Sequence, residues 1–467
     1  MTTSEERVGA ALARMDVVEP LIASVCTTNE AAIEDARRLD REAADGGSRG
    51  PLHGRPVLVK DNIDTSDLPT TAGSLALADV PAPARDAELV RRLREAGMVV
   101  LGKTNLSEWA NIRDESSTSG WSAYGGLTRN PYALNRSAGG SSSGSGAAVA
   151  AGITSLAVGT ETDGSISCPA AFNGCVGFKP TVGLVPTDGV VPVSFSQDTP
   201  GPLTTSVAEA AAMLTVLTGG ATDYAAHAVE GRLAGKRIGV PRKDFWGYSP
   251  GADEAAERAV ALLSAEGATI VDNTDLESMV DFGWQDELTV LLAELRHALP
   301  GYLESRAGDV PRTLADVVAF NESHRDSELS WFGQSLFEKA LAGPDVEDQE
   351  YATARARCLE HGRDKGIDAV LQAHELDALV TPSYAPTMPI DLVNPESGLG
   401  ACTQPAAMAG YPLLTVPSGL VHGLPVAVSF WGTAGSEATL VEVAHGYEAA
   451  RDREIGPLPE PTFEPFV

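Results

Sequence analysis

Two short segments rich in Gly and Ser lie near each other in the sequence and carry the residue types that serine chemistry needs. They are GGSSSGSG (139–146) and GTETDGS (159–165), separated by an Ala-rich segment and the apolar run SLAV. Gly and Ser cluster where the main chain turns tightly or approaches a ligand, whereas Ala favours a helix. The pattern predicts a turn, a helix, a short buried strand and a second turn. Each turn would present serine hydroxyls and main-chain N–H groups, and such N–H groups can stabilise an oxyanion.

A serine nucleophile also needs a base, and the candidate is Lys60 in PVLVKDNIDT (56–65). Lys60 follows an apolar run that is typical of a buried strand, so it would lie where that strand ends. A lysine in a closed, poorly hydrated site loses its charge readily and can then accept a proton. Spacing alone does not establish that Lys60 and the two Ser-containing turns meet.

These three segments together resemble the amidase signature family of serine hydrolases. The similarity extends over most of the chain, including LGKTNLSEWAN (101–111), SGWSAYGGLTRNPY (119–132), GFKPTVGLVPTDGVVPVSFSQDTPGP (177–202) and GYPLLTVPSGLVHGLPVAVSF (410–430). Within the family, TETDGS and SFSQDTPGP look most like the peptide amidases, which hydrolyse C-terminal peptide amides. The resemblance implies an α/β fold with a large mixed central β-sheet covered by helices on both faces. It also implies that residues 1–467 form a single amidase domain.

The resemblance assigns a Ser–cis-Ser–Lys triad to Ser165, Ser141 and Lys60. Ser165 would attack the amide carbonyl, and Ser141, which would follow a cis peptide bond, would relay the proton. Lys60, neutral in the resting enzyme, would be the base. The oxyanion hole would consist of the main-chain N–H groups of Thr162, Asp163, Gly164 and Ser165.

Other side chains are candidates for supporting roles, because a buried lysine and two buried hydroxyls require hydrogen-bond partners. Ser142, Glu161 and Asp198 are the candidates for these partners. Residues 108–132, rich in Asn, Ser, Gly and Trp, are interpreted as a loop that shapes the entrance to the pocket. Trp121 and Tyr124 of this loop are candidates for substrate contact, although packing of the loop on the body of the protein is the alternative for both aromatic side chains.

Two residues depart from the common family pattern. Many members have Gly-Gly-Ser at the nucleophile where this chain has Asp163-Gly164-Ser165, and many have Arg where this chain has Ser167. The peptide-amidase branch shares the first departure and also lacks that Arg. The departures therefore bear on the substrate and leave the triad in place.

Ser142 also fits a different hydrolase pattern, because residues 140–144 match the G-x-S-x-G nucleophile elbow. That elbow joins a strand to a helix and needs an acid and a histidine later in the chain, such as His422 or His445. The preceding NPYALNRSAG does not have the pattern of a buried strand, which disfavours this alternative. The eight histidines show no metal-ligand spacing, and no nucleotide-binding motif follows a strand. We therefore expect neither a metal nor an organic cofactor.

The composition limits the partners and the compartment. The net charge of −30 disfavours nucleic acid and anionic membranes as partners. The first residues lack the pattern of a signal peptide, and no apolar run approaches the roughly 18 residues of a membrane span. The five cysteines show no CxxC spacing and are expected to be reduced and mostly buried. Cys168, three residues after the candidate nucleophile, is expected to be packed in the interior, and lining of the pocket is the alternative. We expect a cytoplasmic enzyme, and the sequence does not indicate its oligomeric state.

The order of predicted elements is that of a layered α/β sheet. Residues 4–48 are predicted to be helical, with Thr28 as the N-cap of a helix that begins at Asn29. Helices and strands then alternate, and residues 277–365 form a mostly helical region. The family resemblance implies that this region covers the pocket.

These inferences together predict an amidohydrolase that converts a linear carboxamide to a carboxylate and ammonia through an acyl-enzyme. A C-terminal peptide amide is the favoured substrate, and a small aliphatic or aryl amide is the alternative. An A-type subunit of an amidotransferase and a non-catalytic scaffold fit the sequence less well.

Overall fold

The computed structural model of the chain describes residues 2–243 and 245–466. The strands are β1 (Val25–Thr28), β2 (Pro56–Lys60), β3 (Val99–Thr104), β4 (Trp121–Ser122), β5 (Gly126–Leu127), β6 (Arg129–Asn130), β7 (Ala133–Ser137), β8 (Leu156–Glu161), β9 (Val176–Lys179), β10 (Thr199–Thr204), β11 (Arg237–Val240), β12 (Thr269–Asp272), β13 (Ala378–Pro382), β14 (Leu413–Val421) and β15 (Leu424–Trp431). The α-helices are α1 (Ser4–Ile22), α2 (Ala32–Ala44), α3 (Glu88–Glu95), α4 (Ser143–Ala150), α5 (Ser167–Asn173), α6 (Val207–Leu217), α7 (Pro250–Ala265), α8 (Gln285–Glu304), α9 (Leu314–Ser323), α10 (Arg325–Glu328), α11 (Ser335–Ala342), α12 (Gln349–Leu359), α13 (Asp368–Ala373), α14 (Gln404–Ala409) and α15 (Glu437–Ile455).

Within the described residues, eleven of these strands form one sheet in the order β1-β3-β2-β8-β10-β9-β14-β15-β13-β11-β12. At one end, β2 runs parallel to both of its neighbours, β3 and β8. The middle of the sheet is antiparallel from β8 to β13, and β11 then pairs in parallel with β13 and β12. The mixed central sheet that the family resemblance implied is therefore confirmed.

The inner strands of this sheet are buried on both faces, whereas the edge strands β1 and β12 are partly exposed. In β2, Val57 and Val59 belong to one apolar core, whereas Leu58 between them belongs to another. Successive side chains of a strand point to opposite faces, so a strand covered on both sides must be apolar at every position. The first core includes residues of α3, α6, α7 and α15, and the second includes residues of α1, α2 and α4. The prediction that helices cover both faces is confirmed.

One local expectation is wrong. Thr28 is not an N-cap but the last residue of β1, where it pairs with Gly102 at the edge of the sheet. Helix α2 begins four residues later, after a turn in which the Asn29 side chain accepts a hydrogen bond from the Ala31 N–H at 3.0 Å. Residues 133–137 form a strand, β7, that pairs with β6 outside the central sheet and is partly exposed, so the expectation that no buried strand lies here is confirmed.

The region 277–365 is mostly helical, as predicted, and contains α8 to α12. Side chains of α8, α9 and α11 form an apolar core of their own with Trp109 and Val191. Of the helices in the described part of the chain, none is both long enough and apolar enough to cross a bilayer.

Candidate active site

Lys60 lies at the carboxyl end of β2, where the parallel neighbour β8 also ends. Val59 pairs with Val158, so Lys60 and Thr160 come together at one edge of the sheet. The carboxyl ends of strands in such sheets are the usual place for a ligand site. The Lys60 ammonium nitrogen (Nζ) donates to Thr160 Oγ1 at 2.9 Å and to the Thr160 carbonyl at 3.2 Å. Its third partner is Ser141 Oγ, at 2.7 Å.

Ser141 is held in the turn that precedes α4. The peptide bond between Gly140 and Ser141 is cis. The Ser141 carbonyl accepts a hydrogen bond from the Ser107 N–H at 3.1 Å, and the Ser141 side chain is completely buried. The Ser142 N–H donates to the Ser165 carbonyl at 3.1 Å, which ties this turn to the second Ser-containing turn. The structure thus brings Lys60, Ser141 and the segment of Ser165 together.

Ser142 is engaged with the main chain. Its hydroxyl donates to the Thr160 carbonyl at 3.1 Å and accepts from the Thr160 N–H at 3.2 Å. This pair of bonds fixes the start of α4 against the end of β8. The hydroxyl proton is therefore committed to a carbonyl, which supports a positioning role for Ser142 and argues against the nucleophile-elbow alternative.

Ser165 lies in the turn between β8 and α5, and this turn is organised by Glu161. One oxygen of the Glu161 carboxylate accepts hydrogen bonds from the N–H groups of Ile166 (2.7 Å) and Ser167 (2.8 Å). Gly164 has φ +75°, a left-handed conformation that residues with a side chain rarely adopt. Ser165 keeps 7 % of its surface exposed, whereas Lys60 and Ser141 keep none. A substrate can therefore approach Ser165 but not the other two.

The main-chain N–H groups in this turn are free to bind an oxyanion. Within the described part of the chain, no acceptor takes a hydrogen bond from the N–H groups of residues 162–165, although the next two N–H groups are bound by Glu161. Preorganised N–H donors that need no rearrangement are what an oxyanion hole requires.

Asp198 supports the same turn from the other side. Its carboxylate accepts from Thr162 Oγ1 at 2.6 Å and from the N–H groups of Val193 and Ser194 at 2.8 and 2.9 Å. Burial raises the pKa of Asp198 to about 6, which these hydrogen bonds oppose. Asp198 therefore holds residues 193–198 against the turn that carries Ser165.

Burial also decides the charge of Lys60. It lowers the pKa of Lys60 to about 7, and the charges of Asp198 and Glu161 oppose that shift. Near neutral pH a large fraction of Lys60 is consequently uncharged and able to accept a proton.

A cavity of about 560 Å³ opens beside these turns. Cys168, one turn of helix after Ser165, is in its lining, so this cysteine is not only packed in the interior as expected. Tyr384 also lines the cavity, and its hydroxyl lies only 2.5 Å from where a Cβ on Gly164 would be. Ser119 lines the cavity near Ser141, since a Cβ on Gly140 would lie 3.2 Å from the Ser119 side chain.

The two aromatic candidates lie elsewhere. Trp121 is buried and packs edge-on against Phe332, with ring centroids 5.1 Å apart. The Tyr124 hydroxyl lies 3.3 Å from Thr27 Oγ1. In the described part of the chain, neither side chain is in the lining of this cavity. Both aromatic side chains are better explained by packing of the loop on the body of the protein.

Sequence reasoning missed Tyr384 and Glu396, which line the cavity from a distant part of the chain. Tyr384 follows β13 by two residues, so the rule that sites form beyond strand ends could have indicated it. Glu396 had no such signal. Residues 277–365 contribute nothing to the lining among the residues described, but Glu287 of α8 accepts a hydrogen bond from Gln197 at 2.9 Å. Three or more His, Cys, Asp or Glu side chains placed to hold a metal ion are not found in the residues described.

Comparison with known proteins agrees with this geometry. The amidase family model matches residues 6–441. A probable amidase of Arabidopsis thaliana is 37 % identical over 96 % of this chain and 87 % of its own length. The X-ray structure of the native peptide amidase of Stenotrophomonas maltophilia is 46 % identical, with a TM-score of 0.92 over 99 % of this chain and 95 % of that one. The A-type subunit of the glutamyl-tRNA(Gln) amidotransferase of Symbiobacterium thermophilum is 35 % identical over 94 % of this chain and 92 % of its own length.

The fold and these matches define a hydrolase of the amidase signature type, with serines and a lysine at the ends of neighbouring strands. The chain belongs to the amidase family. It is an amidase and hydrolyses amide bonds.

Proposed function

We propose that this amidase hydrolyses C-terminal peptide amides, with Ser165 as the nucleophile and Ser141 and Lys60 as its proton relay. The observation that carries the proposal is the 2.7 Å contact between Lys60 Nζ and Ser141 Oγ in a fully buried site beside the Ser165 turn. Because burial lowers the pKa of Lys60 to about 7, the lysine can act as a base rather than as a fixed positive charge.

The first half-reaction forms an acyl-enzyme. Lys60 takes the proton of Ser141 as Ser141 takes the proton of Ser165, and Ser165 Oγ attacks the carboxamide carbon. The oxyanion is held by the N–H groups of residues 162–165, where the loss of one donor typically costs about 10²–10³ in rate. Collapse of the tetrahedral intermediate breaks the C–N bond. The relay returns the proton to the nitrogen, which leaves as ammonia.

The second half-reaction releases the carboxylic acid. A water molecule takes the place of ammonia, and the relay removes its proton as its oxygen attacks the ester carbon. The proton then returns to Ser165, the ester bond breaks and the resting enzyme is restored. Glu161, Asp198 and Ser142 position the groups that react, and no metal or organic cofactor takes part.

The peptide-amide assignment is supported by the similarity to the Stenotrophomonas maltophilia enzyme and by the residues around Ser165. Asp163 and Ser167 depart from the common family pattern, and the resemblance implies that the peptide-amidase branch shares the first departure and lacks the Arg replaced by Ser167. The cavity beside the turn offers room for a short peptide. A small aliphatic or aryl amide is the second candidate, since it would use the same turn and relay. The net charge of −30 argues against an amidotransferase component that must approach a nucleic acid.

The proposal places the enzyme in the cytoplasm, acting on a small-molecule or peptide amide without nucleic acid or membrane as a partner. The five cysteines are free thiols, as a reducing compartment would maintain them. The strongly acidic composition supports the same conclusion.

The test is ammonia release from a panel of amides in the presence of a chelator. The panel contains peptide amides, free amino-acid amides, benzamide and short aliphatic amides. We expect turnover of the peptide amides, with a loss of about 10⁴-fold or more in Ser165→Ala because the nucleophile is removed. Ser323→Ala, which changes an exposed serine near the end of α9, is the matched control.

The possible results test the catalytic mechanism and the substrate assignment separately. Preference for small amides, with activity lost in Ser165→Ala, would retain the mechanism and overturn the peptide assignment. Full turnover by a folded Ser165→Ala would overturn the mechanism itself.

A further inference from the structure

Glu396 is a carboxylate in the wall of the cavity. It belongs to residues 391–400, which follow Pro389 and cross the cavity before α14. Its two oxygens accept hydrogen bonds from Ser119, one from the N–H and one from the hydroxyl, both at 2.8 Å. Burial raises the pKa of Glu396 and these bonds oppose the shift. The side chain is half-buried, between exposed residues on both sides.

No cation among the described residues neutralises this carboxylate. In the part of the chain that the structure describes, Glu396 forms no ion pair. Its hydrogen bonds are those with Ser119, and its charge also acts on the Cys168 thiol, whose pKa it helps to raise. Arg136 also lines the cavity, but it donates to the Thr387 carbonyl at 3.3 Å and lies 4.4 Å from the centre of the Phe466 ring. Each carboxylate oxygen can accept more than one hydrogen bond. Glu396 thus has no cationic partner among the described residues and retains acceptor capacity towards the cavity.

The position of Glu396 relates it to the acyl part of a substrate. The Ser119 side chain that it binds lies against Gly140, next to Ser141. Cys168 and Tyr384 of the same cavity flank the Ser165 turn. An amide whose carbonyl is at Ser165 must place its leaving nitrogen towards the relay, so the rest of the molecule extends into this cavity.

We propose that Glu396 is a specificity-determining residue that binds the terminal ammonium group of a short peptide amide. The proposal rests on the peptide-amide function above and names the end of the peptide that is recognised. In an extended dipeptide amide the ammonium lies roughly 6–7 Å from the carboxamide carbon, since each residue spans about 3.3–3.6 Å. The proposal therefore requires a comparable separation between the Glu396 carboxylate and the carbonyl carbon at Ser165. An N-acetylated peptide has no charge to offer Glu396.

The experiment compares one dipeptide amide with its N-acetyl derivative at pH 7, where the free amino group is mostly charged. Wild type is expected to prefer the free dipeptide amide in kcat/KM by about 10-fold or more, as a hydrogen-bonded charge pair would give. Glu396→Gln keeps the shape and can still hydrogen-bond Ser119, so it should abolish this preference while leaving turnover of the acetylated peptide within about 3-fold of wild type. The titration of Lys60 affects both substrates and cancels in the ratio.

Asp391→Asn is the matched control. Asp391 is a carboxylate of the same segment that accepts from the N–H groups of Val393 and Asn394, at 2.9 and 3.0 Å, and it is not in the cavity lining. This variant should keep the preference of wild type. Equal kcat/KM for the two peptides in wild type, or a preference that survives Glu396→Gln, would overturn the role of Glu396 and leave the peptide-amide function standing. Wild type that hydrolysed neither peptide would overturn both.

Discussion

Three lysines are fully buried at strand ends, and their neighbours distinguish them. Lys103 donates to the Ile63 carbonyl at 2.7 Å and pairs with Asp61 at 3.3 Å. Lys179 donates to the Tyr411 carbonyl at 2.6 Å, and burial lowers its pKa to about 8. Of these three lysines, Lys60 is the one that contacts a serine hydroxyl among the described residues, whereas Lys103 contacts the Thr70 hydroxyl at 3.0 Å. Burial makes a lysine a potential base, but a serine hydroxyl next to the Ser165 turn makes that base useful for attack.

The pH dependence of the rate follows from the lowered pKa of Lys60. Below a pKa of about 7 the lysine is protonated and cannot accept the proton of Ser141. For an N-acetylated peptide amide, kcat/KM should therefore rise with pH through about 7 and level off by about pH 8–9. Lys60→Ala should lower kcat by about 10²–10⁴ and remove that rise.

Two carboxyl groups near the site also titrate close to neutral pH, and their contribution must be separated from that of Lys60. Burial raises the pKa of Asp163 and of Asp198 to about 6. An inflection near pH 6 that persists in Lys60→Ala would belong to these groups. A wild-type profile that is flat from pH 6 to 9 would contradict the role of Lys60 as base.

At the scale of elements, the turn after β8 is where the local pattern was most informative. Its Gly and Ser content predicted a tight turn, and the apolar run before it predicted β8. The local pattern could not predict that the Glu161 carboxylate binds the N–H groups of Ile166 and Ser167 and leaves the N–H groups of residues 162–165 free. That outcome depends on how the chain closes on itself after the turn.

Gly164 should not tolerate a side chain. A Cβ at this position would lie 2.5 Å from the Tyr384 hydroxyl, in addition to the cost of about 1–2 kcal/mol for a left-handed conformation. Gly164→Ala should lower kcat by at least about 10²-fold, because the N–H donors would shift. Adding Tyr384→Phe, which removes the hydroxyl, should recover part of the loss.

Gly183→Ala separates the two costs. Gly183 has φ +84°, and no atom of the described residues lies within 4 Å of where its Cβ would be, so this variant should lose stability only through the conformational cost and keep its activity. Thermal unfolding and initial rates of the two variants give the comparison. Equal activity of Gly164→Ala and Gly183→Ala would show that the geometry of the turn is not critical.

For the whole molecule, the layered α/β class could be predicted from the alternation of apolar strands and amphipathic helices, whereas the mixed sheet with helices on both faces was implied by the family resemblance. The ends of helices and strands were harder to predict from the sequence. Thr28 has the residue type of a helix N-cap, but in the structure it pairs with Gly102 in the edge strand β1. The triad residues were identified from the family resemblance, not from spacing. The pocket could not be predicted, since Glu396 meets Ser119 across 277 residues of sequence.

Similarity over the whole chain shows the reaction class more firmly than the substrate. The Arabidopsis amidase and the Symbiobacterium amidotransferase protein are 37 % and 35 % identical to this chain, although they carry different names. Residues that differ within the family, such as Asp163 and Ser167, therefore bear on the substrate more than overall identity does.

The central claim is that Lys60, through Ser141, activates Ser165. The most direct measurement is fluorophosphonate labelling followed by peptide mapping by mass spectrometry, with wild type, Ser141→Ala and Lys60→Ala treated in parallel at pH 8. The account predicts one label on wild type, on Ser165, and labelling slowed by at least about 10²-fold in both variants. A label on Ser142 or another serine, or undiminished labelling of Ser165 in Lys60→Ala, would contradict it.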